Sequence, residues 1–239
     1  LNQPALFTGG YWLASSPEVF AVCQRSDGAQ KKIWTSDDLG YTWTLHTITT
    51  SADYIDKILF VEDIFIACCL IGGTIVTASA SGASWTERST GPSIELNQGV
   101  FALGKYILPM GESGSHELWI SDDGITWTND SGNLDGLGLT GVHIAASSGL
   151  VACVCFEDGD AGCLIMTTTD LATWTHQRDA KNTENPDYSY NFFGRMMNMF
   201  IAWNIDFCSF SADGVTLLSM MAPDPVDGLE GKTWIRIAE

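Results

Sequence analysis

The sequence predicts an all-β chain: a five-bladed β-propeller of four-stranded antiparallel blades, with residues 1–239 forming a single β-propeller domain. Three observations predict it. A short motif recurs at a near-constant spacing, apolar residues fall in short runs bounded by turn residues, and no stretch carries helical periodicity.

The motif is clearest at Ser36-Asp37-Asp38-Leu39-Gly40-Tyr41-Thr42-Trp43. Ser121-Asp122-Asp123-Gly124-Ile125-Thr126-Trp127 repeats it, one residue shorter. Thr168-Thr169-Asp170-Leu171-Ala172-Thr173-Trp174 is a third copy, with Ala172 near the glycine position. Ser211–Leu217 keeps all but the tryptophan, and Ala78–Trp85 keeps only a glycine, a hydroxyl and the tryptophan. The anchors fall at 43, 85, 127, 174 and 217, with gaps of 42, 42, 47 and 43 residues. Short strands repeating every ~40–50 residues are the mark of propeller blades.

The motif's chemistry is local. A glycine supplies positive φ in a tight hairpin. Asp with Ser or Thr just before it can hydrogen-bond the turn's own backbone. The tryptophan is expected to start the next strand and to cover the turn. On these residues the chain resembles the sialidase-like Asp-box propellers, whose motif is Ser-x-Asp-x-Gly-x-Thr-Trp; residues 36–43 match every fixed position. The resemblance implies that each motif joins the third and fourth strands at a blade's rim, away from the ligand face. Its aspartates would then stabilise turns and do no catalysis. The Ser-Asp-Asp-Gly-Ile-Thr-Trp-Thr form is similar to copies in bacteriophage and bacterial surface proteins. That implies a virion protein or an extracellular surface module.

The strands follow in order. The first set is Tyr11–Ala14, Val19–Cys23, Lys32–Thr35 and Trp43–His46. The second is Ile58–Phe60, Ile64–Cys69, Thr74–Thr77 and Trp85–Thr86. The third is Gly99–Leu103, Tyr106–Leu108, Glu117–Ile120 and Trp127–Thr128. The fourth is Val142–Ala145, Leu150–Cys155, Cys163–Thr167 and Trp174–His176. The fifth begins Asn191–Phe193, Phe200–Trp203 and Phe207–Phe210, then becomes irregular. Spacing arithmetic gives its last place to Thr233–Ile237; the competing reading gives it to Thr216–Met220.

Composition bounds function. Apolar residues make up 45% of the chain, enough for a large core. Twenty-nine acids against 11 bases leave a net charge of −18. Such a surface excludes nucleic acid, which requires a basic stripe, and anionic membrane surfaces. No apolar run reaches spanning length, so no membrane insertion is expected. No signal peptide is visible, and the start at Leu1 implies that an upstream piece was removed or left out. Of seven cysteines, Cys23, Cys68 and Cys153 fall near one point of the repeat, as small buried thiols suited to a reducing compartment. The four histidines are scattered over different repeats, which argues against a shared metal site.

The links between blades and the second-to-third turns share the face opposite the motif hairpins, and the resemblance to sialidase-like propellers implies that a ligand site lies there. Tyr54, Tyr188, Tyr190 and Trp203 are the candidate ligand-binding residues, as ring faces for sugar stacking; each could equally pack between blades. Glu157, Asp158 and Asp160 could ligate calcium, although their run lacks the full calcium-loop pattern and reads more simply as a solvated turn. No other cofactor and no catalytic residue is assigned. The expected function is non-catalytic recognition of a glycan, or of other virion or surface proteins. The alternative is a glycoside hydrolase with paired carboxylates, Glu112 and Glu157 among them. Sialidase activity fits less well: the family resemblance implies an arginine triad with an Arg-Ile-Pro-like motif, and no such motif is present.

Overall fold

The computed structural model describes residues 10–25, 31–50, 55–69, 74–90, 96, 98–112, 115–130, 139–147, 149–157, 163–178, 192–196, 199–203, 207–211 and 218–221. The first sheet is β1 (Gly10–Ser15), β2 (Phe20–Arg25), β3 (Lys32–Ser36) and β4 (Thr44–Thr47). The second is β5 (Ile55–Val61), β6 (Ile64–Cys69), β7 (Thr74–Ser79) and β8 (Thr86–Thr90). The third is β9 (Val100–Ala102), β10 (Lys105–Glu112), β11 (Ser115–Ser121) and β12 (Thr128–Asn129). The fourth is β13 (Leu139–Ser147), β14 (Leu150–Glu157), β15 (Cys163–Thr168) and β16 (Thr175–Arg178). The fifth is β17 (Phe192–Met196), β18 (Met199–Trp203), β19 (Phe207–Ser211) and β20 (Leu218–Met221). Every pairing is antiparallel and joins strands adjacent in sequence.

The sheets pack face to face in chain order, the first strand of one sheet lying against the sheet before it: β5 on β1 and β2, β13 on β9, β10 and β11, and β17 on β13. Because side chains alternate across a strand, each sheet offers one face to each neighbour. Ala14, Ala21, Cys23 and Ile33 of the first sheet meet Ile55, Ile58, Phe65 and Val76 of the second. Val61, Ile66, Cys68 and Ile75 of the second meet Tyr106, Leu108, Trp119 and Trp127 at the third. Ile107, Leu118 and Ile120 of the third meet Ile144, Val151, Cys153 and Met166 of the fourth. Each fully buried Ile or Leu contributes about 1.5–3 kcal/mol, so the seams hold the fold together.

The cysteines show how sharp the alternation is. Cys68 faces the third sheet, while its neighbour Cys69 faces the first. Cys23 and Cys68 face the following sheet, but Cys153 faces the preceding one. A one-residue difference in repeat position has flipped the side chain.

The structure corrects several expectations. Trp43, Trp85, Trp127 and Trp174 each sit one residue before the fourth strand, and the indoles of the first three fold back to donate to their own turns. The fourth place in the fifth sheet belongs to Leu218–Met221, close to the competing reading; residues 233–237 lie outside the described residues. Glu112 and Glu157 end strands β10 and β14, paired across from Ser115 and Leu139. Among the described residues no helix is long and apolar enough to cross a membrane.

Candidate functional site

The sheets have two ends, and their chemistry differs. At one end lie the tryptophan hairpins. In the third sheet the Ser121 hydroxyl accepts the Gly124 N–H at 2.8 Å, while Asp123 Oδ1 accepts the N–H groups of Ile125 and Thr126 at 2.8 and 2.7 Å. Asp38 does the same for Thr42 N–H at 2.8 Å, and Asp170 for Ala172 and Thr173 at 2.9 and 2.7 Å. The backbone N–H of Thr42, Thr126 or Thr173 holds each of these carboxyls below its usual range. The indole N–H groups of Trp43, Trp85 and Trp127 donate to the carbonyls of Gly40, Gly82 and Gly124 at 3.1, 2.9 and 3.3 Å. In the fourth sheet Leu171, not Ala172, holds the Gly124 position: its N–H meets Thr168 Oγ1 at 2.9 Å and its φ is +64°.

These hairpins are wedges. Trp85, Trp127 and Trp174 each enter the seam between their own sheet and the preceding one. Beside Trp127, the hydroxyl of buried Tyr106 donates to Asp63 of the second sheet, and burial together with that bond pushes the phenol's pKa up. Asp38, Asp123 and Asp170 thus spend their carboxylates on the backbone N–H groups of their own turns.

At the opposite end the links enter the first strands. Here the structure gathers residues that do not repeat. The Lys57 ammonium, on β5, stands 4.3 Å from the ring centroid of Trp12 on β1, a cation–π contact worth about 0.5–2 kcal/mol. His143, on β13, is partly buried; burial, and then the charge of Lys57, hold its pKa down, leaving a neutral imidazole. Gln98, just before β9, accepts the Ile144 N–H at 2.9 Å and ties the third sheet to the fourth. On the same face Lys31 Nζ donates to the Thr50 carbonyl at 2.7 Å.

Two irregularities place this group. The ladder shifts register between Ile55 and Lys57, and again between Thr140 and His143. A bulge adds a residue, increases local twist and re-aims the side chain that follows. Lys57 follows the first shift, near the link end of β5, and His143 follows the second, midway along β13. The sequence readings passed over Trp12, Lys57 and His143. One signal was present: Lys57 is a charge between Ile55 and Ile58, in a chain with only 11 bases.

Of the seven candidates named from the sequence, two fall among the described residues. Tyr54, Tyr188, Tyr190, Asp158 and Asp160 lie outside the described residues. Trp203 is the last residue of β18, across from Phe192, and Glu157 the last of β14. Among the described residues no group of three or more His, Cys, Asp or Glu side chains could hold a metal ion.

No protein-family profile matches the chain. No curated protein matches it either. Solved structures do. Virginiamycin B lyase from Staphylococcus aureus superposes with a TM-score of 0.68 at 12% identity, covering 94% of this chain and 74% of that one. YCF48 from Cyanidioschyzon merolae gives 0.58 at 13% identity, covering 90% and 71%. A nidogen–laminin complex gives 0.54 at 12%, covering 83% and 74%. These neighbours are β-propellers, and at such identities the likeness establishes that fold alone. One YCF48 structure holds a D1 peptide, and nidogen was solved with laminin.

Proposed function

We propose that the chain is a non-catalytic recognition module, a single-domain ring of five blades of the Asp-box type, displayed on a virion or cell surface. The observation that carries the reading is the Lys57 ammonium of β5 over the exposed Trp12 ring of β1, with the charge of Lys57 reaching His143 on β13. An aromatic ring and two nitrogen donors suit the holding of a polar ligand. Tyr54, Tyr188, Tyr190 and Trp203 extend that surface in this reading, and Glu157, Asp158 and Asp160 supply a calcium-binding turn on the same face. The occupant is a glycan; the protein partners bound by propeller neighbours make a surface protein the next class to try.

A glycan array followed by a reducing-sugar release assay tests this. Binding without turnover is the expected result. Turnover lost on replacing Glu112 or Glu157 would instead establish the glycoside hydrolase alternative. Five closed blades also require the fifth sheet to cover the outer face of the first, where Leu13, Val22, Trp34 and Leu45 form one cross-strand row. A cross-link between cysteines introduced at Leu13 and on β17 tests closure.

A further inference from the structure

The first hairpin displays what the fourth buries. Leu39 and Leu171 both stand in the left-handed region, at φ +61° and +64°. Such a backbone is strained for leucine, whose Cβ crowds the following carbonyl oxygen. Leu171 offsets the strain by burial in its seam, where it is 4% exposed. Leu39 is 80% exposed, and Tyr41, on the other side of Gly40, is 65% exposed. Among the described residues these are the two most exposed large apolar side chains. Neither side chain closes the turn: Ser36, Asp38 and Trp43 do so, through bonds to Gly40 and Thr42. We propose that Leu39 and Tyr41 are the apolar anchor of a docking surface for a second protein whose contact face is basic. The surface lies at the hairpin end, opposite the link end, and stands independently of the recognition reading above.

Charge selects the occupant. At the hairpin end of the first sheet the described residues include Glu18, Asp37 and Asp38 and no lysine or arginine. Glu18 and Asp37 are exposed. The β5–β6 turn, at the same end of the second sheet, adds exposed Glu62 and Asp63. Lys31 and Lys32 stand at the other end, where β3 begins. An apolar tip framed by carboxylates fits an apolar recess framed by lysine or arginine, because opposite potentials steer the encounter and fix its register. Tyrosine suits the centre of such a contact: its ring covers a large apolar area and its hydroxyl still finds a partner. A second copy of the chain fits less well. A two-fold interface sets a patch against itself, here carboxylate against carboxylate in chains of net charge −18.

Leu39→Asn tests the anchor without any ligand. Asparagine enters the left-handed region more readily than leucine, so the variant should melt at a higher temperature than the parent chain. A lower melting temperature would show that Leu39 holds the turn, and would overturn the proposal. Binding is then measured by calorimetry on the full chain in about 0.15 M salt, where charge alone is largely screened. The probes are three synthetic peptides of equal length, alternating lysine–leucine, lysine–serine and glutamate–leucine. The lysine–leucine peptide should bind about tenfold more tightly than either of the others and should slow amide hydrogen exchange across residues 37–43. Leu39→Asn combined with Tyr41→Ser should weaken it about tenfold. Equal binding of the lysine–serine peptide, tighter binding of the glutamate–leucine peptide, protection elsewhere in the chain, or full affinity in the double variant would each overturn the proposal. Sedimentation of the chain alone should show no self-association through this face. A dimer that dissociates in the double variant would assign the surface to a second copy and exclude the basic partner.

Discussion

The second and third hairpins make the same turn with different means. In residues 121–127, Asp123 collects two backbone N–H groups and a threonine hydroxyl. In residues 79–85 the equivalent position is Ser81, which only meets the Ser79 hydroxyl at 3.0 Å. The turn nevertheless closes: Gly82 N–H reaches the Ser79 carbonyl at 2.9 Å, and Trp85 donates to Gly82. A bond from outside helps as well, since the Ser16 hydroxyl of the first sheet donates to the Ala80 carbonyl at 2.7 Å. The aspartate is therefore one of several ways to hold the turn. What both hairpins keep is the tryptophan in the seam and a glycine at positive φ, +62° and +67°.

The comparison breaks most directly at Trp127. It is 7% exposed, packs beside Tyr106 of its own sheet against the second sheet and covers its own turn. Trp127→Ala should cost about 3–5 kcal/mol, as for other buried aromatics cut to alanine. Chemical denaturation with tryptophan fluorescence measures it. A loss below 1 kcal/mol would mean that the seam is held without its wedge.

Gly124→Ala comes next. Its φ of +67° penalises any Cβ by about 1–2 kcal/mol, and an added Cβ would collide with the Ile64 side chain of the second sheet. Overpacking adds about 1–3 kcal/mol, so about 2–5 in all. The same change at Gly104, where φ is +75° and an added Cβ meets nothing, should cost the backbone part alone. Thermal melts of the pair separate strain from collision.

The fourth hairpin sharpens the argument further. Leu171 holds the glycine position at φ +64°, yet its side chain is buried in the seam between the third and fourth sheets. Burial outweighs the strain. Trp174 pays a cost alongside it: its indole nitrogen, unlike the other three, is buried with no hydrogen-bond partner among the described residues. Leu171→Ala should lose about 2–4 kcal/mol of packing while keeping the strain. Leu171→Gly loses the same packing but sheds the strain, and should be more stable than the alanine variant by about 1–2 kcal/mol. That order reverses the usual one, in which glycine within a regular element is the worse residue.

These positions also explain what the sequence could and could not show. The hairpin at 36–43 was legible because its chemistry is local: Ser36, Asp38, Gly40 and Trp43 bond to one another within eight residues. The strands were legible from alternation and turn residues. The fourth hairpin was misaligned by one residue because a buried leucine can occupy an αL position that the pattern reserves for glycine. Lys57 was missed for a related reason. Asp56-Lys57 reads as a polar link, but a bulge admits both residues into β5. His143 was read correctly as a strand residue. Its proximity to Lys57 follows only from the packing of the first strands, which no local pattern encodes.

The smallest expected effect is also the most direct test of what the aspartate adds. Asp123→Ser installs the second hairpin's residue in the third. Tryptophan and glycine remain, so the loss at neutral pH should be smaller than for Gly124→Ala. The difference belongs at low pH. Asp123 is held below its ordinary value of 3.8 in the folded chain, chiefly by the Thr126 and Ile125 N–H groups. A carboxyl depressed in this way contributes fully above the unfolded value and loses its contribution as pH falls through the folded one. Stability of the parent chain should therefore fall more steeply than that of the serine variant below pH 3.8, and the two curves should converge there. Asp170→Ser should behave alike, since its carboxyl is held by the same pattern of N–H donors. Parallel curves down to the lowest pH at which the fold survives would show that the aspartates hold their turns no better than Ser81 holds the second.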